Sequence, residues 1–208
     1  MEISVVSVCA ASGDDIAVCV SVTNGEMSQR EKFVISVDAY ARMGISKGTC
    51  DTETYEALEW ESGVNAAFKR AMAILGFGAC SKKTLVLKLL QKGFGREYAE
   101  AAVERADALG FIDDNENAHR EAERCAAKLW GEGRIRASLI QKGYASDAVE
   151  SALLSLEDDG VDFLENCREL ISRKYPVLPT ERAEKQKLVA SVMRYGYTLS
   201  QIKSALGK

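Results

Sequence analysis

The chain predicts a mainly α-helical protein: three tandem three-helix repeats forming an elongated, curved array, preceded by a small antiparallel β-meander. Three observations carry this. A hexapeptide recurs, reading LLQKGF at 89–94, LIQKGY at 139–144 and VMRYGY at 192–197. Its glycines, Gly93, Gly143 and Gly196, lie 50 and 53 residues apart, a period typical of a supersecondary unit used more than once. Finally, the first forty residues alternate apolar and polar in short β-branched runs, whereas everything from Asp51 onward has helical periodicity.

The head contains three such runs, at 3–8, 16–22 and 33–37, separated by the turn clusters Ser12-Gly13-Asp14-Asp15 and Thr23-Asn24-Gly25-Glu26. These are the signals of an antiparallel three-stranded meander. A short helix follows over 38–43 and ends at Gly44. Three strands make a thin core, so the sheet should pack on what comes next. Asp51 to Thr54 offer caps for a helix through Trp60, and a longer helix is expected near 64–75, ended by Gly76-Phe77-Gly78.

Ser81 is a good N-cap for the helix leading into the first hexapeptide. Aligned on the three glycines, Leu85, Ile135 and Leu188 stand eight residues before, Leu89, Leu139 and Val192 four before, and Leu90, Ile140 and Met193 three before. Those offsets predict one helical stripe. Ala102-Val103, Ala152-Leu153 and Ala205-Leu206, nine and ten residues after, predict a second stripe on the following helix. The glycine suits the left-handed residue that ends a helix, and the aromatic after it can fold over the end of the stripe. Ser146-Asp147 and Thr198 are fair caps for the next helices.

A further helix precedes each pair, near 64–75, 114–130 and 162–174. The expected divisions are therefore a β-rich extension at 1–63 and helical repeats at 64–110, 111–156 and 157–208. Pro176 and Pro179, the only prolines, stiffen one connection inside the last repeat.

The bulk properties narrow the function. No apolar run is long enough to span a membrane, and the N-terminus lacks a basic secretory n-region, so a cytoplasmic protein is expected. Net charge is −4, distributed unevenly: residues 1–65 hold four Lys/Arg against eleven Asp/Glu, and residues 163–208 hold nine against four. A mildly basic tail suits an acidic partner surface. The six cysteines contain no C-x-x-C pair and there is one histidine, so the thiolate–imidazole framework of a structural zinc site is lacking. Phosphate-binding loops of the G-x-x-x-x-G-K-[ST] or G-x-G-x-x-G type are absent as well. His119 lies in a polar helical stretch and reads as exposed, and Asp113-Asp114 reads as a helix cap rather than a catalytic carboxylate pair. These features point to a binding protein with no enzymatic activity, no cofactor and no metal.

The ordered series is specific. Ser81 opens a helix, L-x-x-K-G-F stands at 89–94, A-x-x-L-G-F-I-D-D at 106–114, G-x-x-R-I at 131–135 and L-x-x-K-G-Y at 139–144. In this it resembles the RecX family, regulatory proteins that act on the RecA recombinase, over about residues 60–208. The resemblance implies a monomeric protein that binds the RecA–DNA filament along its groove. It would inhibit the filament's ATPase, strand exchange and SOS co-protease activity, with weak direct DNA contact possible. Lys92, Lys142 and Arg194 at the ends of the second helices, Arg134 and Arg136 flanking Ile135, and Arg173-Lys174 in the tail are the candidate partner-binding residues. A helix-turn-helix-like module acting on DNA without RecA is the alternative, because three-helix units with tight turns share that geometry. The aromatics Phe94, Tyr144 and Tyr197 read as core, and Trp130 as either core or contact residue.

Overall fold

The structure is a computed structural model and describes residues 2–207. It holds a four-stranded antiparallel sheet and ten helices among the described residues, divided into two compact units. The first unit comprises residues 1–78 and 85–111, the second 79–84 and 112–208.

In the first unit, β1 (Glu2–Ala10), β2 (Asp15–Asn24) and β3 (Met27–Ser36) form the expected meander. Asn24 pairs with Met27 across a two-residue loop whose first position, Gly25, has φ 64°, a left-handed backbone that costs glycine nothing. The meander gains a strand: β4 (Gly48–Cys50) pairs antiparallel with β1, giving the order β3-β2-β1-β4. Three residues are too few to show alternation, which is why the sequence pattern does not announce β4. Between β3 and β4, α1 (Val37–Met43) is capped by Ser36 and stopped by Gly44 at φ 60°.

The two helices expected over 51–75 are one. α2 (Thr52–Leu75) runs unbroken for 24 residues from its N-cap Asp51. Gly63 interrupts the pattern without interrupting the helix, and its role is to admit a neighbour. A Cβ there would stand 2.7 Å from the ring of Tyr98, which packs beside Trp60 with centroids 5.2 Å apart. Leu58 joins Val18, Val20, Phe33 and Ile35 in the core beneath the sheet. One turn further on, α2 serves the outer edge of β3: the Val34 N–H donates to Ser62 Oγ at 3.0 Å, and Asn65 Nδ2 donates to the Val34 carbonyl at 3.2 Å. Side chains thus satisfy backbone groups that an edge strand otherwise leaves open. Lys69 pairs with Asp15, a carboxylate only 6% exposed. α2 also packs along α4 (Arg96–Ala108) through small residues, with Ala67, Ala71, Ala99, Ala102 and Ala106 all buried.

α3 (Lys82–Gln91) starts in the second unit and continues in the first. Ser81 caps it as expected, accepting from the Thr84 N–H at 3.2 Å. Ser81 Oγ also donates to the Lys142 carbonyl at 2.6 Å, as does Thr84 Oγ1 at 2.7 Å, so the cap ties down the end of a distant helix. The acidic pair is likewise divided. Asp113 caps its own helix, accepting from the Glu116 N–H, while the Asp114 carboxylate accepts from the Lys82 N–H at the start of α3.

The second unit contains α5 (Asp114–Ala126), α6 (Glu132–Gln141), α7 (Ser146–Asp158), α8 (Phe163–Lys174), α9 (Arg182–Met193) and α10 (Leu199–Ala205) around one continuous apolar core. α5 is shorter than the expected 114–130 helix, so Trp130 falls in the turn beyond it. α7 is capped at Ala145 without a side chain, not at Ser146-Asp147; the Asp147 carboxylate instead accepts from the N–H of Ala148. Thr198 does cap α10, in a reciprocal box with Gln201.

The aligned columns differ in depth. Leu85, Ile135, Leu188, Leu89, Leu139 and Val192 are buried, as predicted, but Ile140 and Met193 are 55% and 45% exposed. With Gly at the helix end, the position three before it turns outward, so the inward stripe is narrower than the offsets imply. No described helix is long and apolar enough to cross a membrane.

Candidate functional site

Cationic groups gather on two aromatic rings where the turn after α5 meets the turn between α9 and α10. α5 ends without a glycine; Leu129 takes the left-handed backbone itself, φ 59°, and is followed by Trp130, partly buried against the core, and Gly131. Gly131 then approaches the second turn closely enough for its N–H to donate to the Tyr195 carbonyl at 2.7 Å. The Gly133 N–H donates to the Gly196 carbonyl at 3.3 Å, and the buried Tyr197 hydroxyl donates to the Leu129 carbonyl at 3.1 Å. This contact is backbone on backbone, and only glycine permits it. A Cβ on Gly131 would lie 2.8 Å from Gly196, and one on Gly196, whose φ is 94°, would lie 2.3 Å from the Arg134 nitrogen.

The contact sets Trp130 and Tyr195 near each other, and charges occupy their faces. The Arg134 guanidinium lies 3.8 Å from the Trp130 ring centre and 5.1 Å from that of Tyr195. Lys174 Nζ stands 4.2 Å over Tyr195 and donates to Ser191 Oγ, and Lys128 Nζ is 5.7 Å from the Trp130 ring. Each such contact contributes roughly 0.5–1 kcal/mol at an exposed site and more when water is excluded. Among the described residues, none of these three cations forms an ion pair with a carboxylate. The rings hold the positive charges in place without neutralising them, a surface suited to carboxylates or phosphates.

The predicted contact residues fall into three groups. Arg134 and Lys174 come together in this seam. Arg136, Lys142 and Arg173 are ion-paired with Glu150, Glu121 and Glu169. Lys92 and Arg194 are exposed and have no ion pair among the described residues, Lys92 in the first unit and Arg194 at the C-cap of α9. Lys128 and Tyr195 lie outside the predicted contact residues. A signal for Tyr195 existed, because it stands where the first two hexapeptides have Lys92 and Lys142.

Two further expectations meet the structure here. Tyr144 and Tyr197 are buried as predicted. Burial pushes the Tyr144 phenol up to about 12, assisted by Asp114 and Glu121, and pushes Tyr197 up as well. His119, expected to be exposed, is half-buried, and its Nε2 lies 2.8 Å from Asp159 Oδ2. The Asp159 carboxylate comes from forty residues away, so local polarity does not reveal the pair. The buried thiols are not activated: burial raises Cys125, and raises Cys167 to about 11.

No family model matches the chain. A protein of Xanthomonas axonopodis pv. citri (strain 306) named regulatory protein RecX is 33% identical over 138 residues, 66% of this chain and 83% of the relative. Another of that name, from Chlorobium phaeobacteroides (strain BS1), is 28% identical over 142 residues, 67% of this chain and 91% of the relative. Among solved structures, a crystal structure of regulatory protein RecX matches 99% of this chain and all of its own, with a TM-score of 0.76 at 20% identity, a likeness of fold.

Proposed function

The chain belongs to the RecX family of regulatory proteins, and from that premise we propose that it regulates homologous recombination and DNA repair by binding the RecA filament on DNA. As a monomer in the cytoplasm it lies along the filament groove, bridges successive protomers, and inhibits ATP turnover, strand exchange and the co-protease activity that induces the SOS response. Differential affinity provides the mechanism: a ligand shifts a filament's state only by binding one state better than another. The protein supplies no chemistry of its own, in keeping with relatives named as regulators rather than enzymes.

The observation that carries this reading is the match to RecX proteins over 138 residues. The proposed organisation, three helical repeats at 64–110, 111–156 and 157–208 behind the 1–63 extension, offers an elongated, curved surface in place of a pocket. Of the proposed contact residues, Arg134 and Lys174 are held on Trp130 and Tyr195, with no carboxylate among the described residues to displace. Among the described residues Lys92 and Arg194 have no ion pair to break, while Arg136, Lys142 and Arg173 exchange an internal partner for an external one.

Co-sedimentation with RecA–DNA filaments tests the proposal. The wild-type chain should pellet with the filament, and the Arg134→Ala/Lys174→Ala double variant should pellet several-fold less while keeping its helical content. Binding to bare DNA that is as tight as binding to the filament, and falls steeply with salt, would favour the DNA-binding alternative. A double variant that pellets like the wild type would remove the seam from the interface.

A further inference from the structure

The sole histidine of the chain is not isolated. His119 and Glu123 stand one turn apart on the same face of α5, and Asp159, the C-cap of α7, meets them from the facing helix. One donor atom from each lies within 4.8 Å of the others. We propose that these three side chains form a binding site for a divalent transition-metal ion of the zinc class.

The donor set is one imidazole and two carboxylates, the borderline-to-hard nitrogen and oxygen ligands that such ions accept. A tetrahedral zinc ion with bonds of about 2.0–2.2 Å holds its ligands roughly 3.3 Å apart. His119 and Asp159, at 2.8 Å, would open slightly, and closing the rest of the set from 4.8 Å asks for about 1.5 Å of side-chain movement, which exposed Glu123 can supply. Two unit negative charges face the ion, and the C-terminal carbonyl end of α7 adds the negative pole of its helix dipole.

The neighbouring acids are committed elsewhere. Asp162 accepts from the N–H groups of Leu164 and Glu165, and Glu165 pairs with Arg168 at 3.0 Å. Among the described residues Glu123 has no ion pair, and Asp159 has only His119. Both line an open cleft of about 490 Å³, so water can reach the ion and complete a fourth position. Loaded, the ion would staple α5 to the end of α7. The proposal does not depend on the regulatory reading above.

The test is a zinc titration of the full-length, tag-free protein, read by NMR of the imidazole and by melting temperature. Because His119 is the only histidine, its ring signals are unambiguous. The site predicts a saturable shift of those signals at one ion per chain and a rise in melting temperature. His119→Gln should abolish that rise. Glu123→Gln and Asp159→Asn should each weaken affinity at least about tenfold, since removing even a group that only orients a ligand costs 10–100-fold. Imidazole signals that stay put while the melting temperature moves would assign zinc to the cysteines and overturn the site. So would no binding at all, or an affinity unchanged in Glu123→Gln and Asp159→Asn.

Discussion

Gly93 and Gly196 hold equivalent places in the recurring hexapeptide and both have positive φ, 89° and 94°, yet their surroundings differ. Nothing lies within 4 Å of a Cβ built on Gly93, whereas one on Gly196 would overlap the Arg134 backbone at 2.3 Å. Gly93→Ala should therefore cost only the left-handed backbone penalty, about 1–2 kcal/mol. Gly196→Ala should cost that and the contact between the two turns, about 3 kcal/mol or more. Urea unfolding of the two variants checks the order, and equal midpoints would contradict it.

Protonation at single residues gives a second prediction. Burial raises the Tyr144 phenol to about 12 from an ordinary value near 10, so the folded chain holds that proton more tightly than the unfolded chain. The stability this supplies is intact below about pH 10 and is lost as pH rises toward about 12. Tyr144→Phe should unfold less steeply than wild type over that window. Cys167, buried and raised to about 11, should react with thiol reagents far more slowly than exposed Cys9.

At the scale of elements, a helix was legible in the sequence where a stripe and a cap agreed, and obscure where a glycine had a tertiary purpose. Ser81, Asp113 and Thr198 cap the helices expected of them because an N-cap is a local hydrogen bond. Gly63 reads locally as a break, but α2 runs through it, since its role is set by Tyr98 thirty-five residues away. Gly63→Ala alone should gain none of the about 1 kcal/mol that alanine normally adds to a helix interior. In a Tyr98→Ala background it should recover that gain, which a double-mutant cycle by thermal unfolding would detect. Equal effects in both backgrounds would show that the ring does not select the glycine. The same distinction holds for the candidate site. Arg134 and Lys174 were legible as basic residues on helices, but their convergence on Trp130 and Tyr195 depends on two turns meeting. The His119–Asp159 pair likewise requires the packing of α5 on α7.

For the whole molecule, the central claim is that the chain acts on a protein filament rather than on DNA or a small substrate. The acidic 1–65 segment and the basic 163–208 segment give the molecule opposite charge at its two ends of sequence. The net charge of −4 disfavours wrapping a uniform polyanion. The most direct test is titration of the full-length chain into RecA hydrolysing ATP on single-stranded DNA. Hydrolysis should fall with dose, completely at or below one chain per recombinase protomer, with the Arg134→Ala/Lys174→Ala variant requiring several-fold more protein. ATP hydrolysis left unchanged at stoichiometric protein would contradict it.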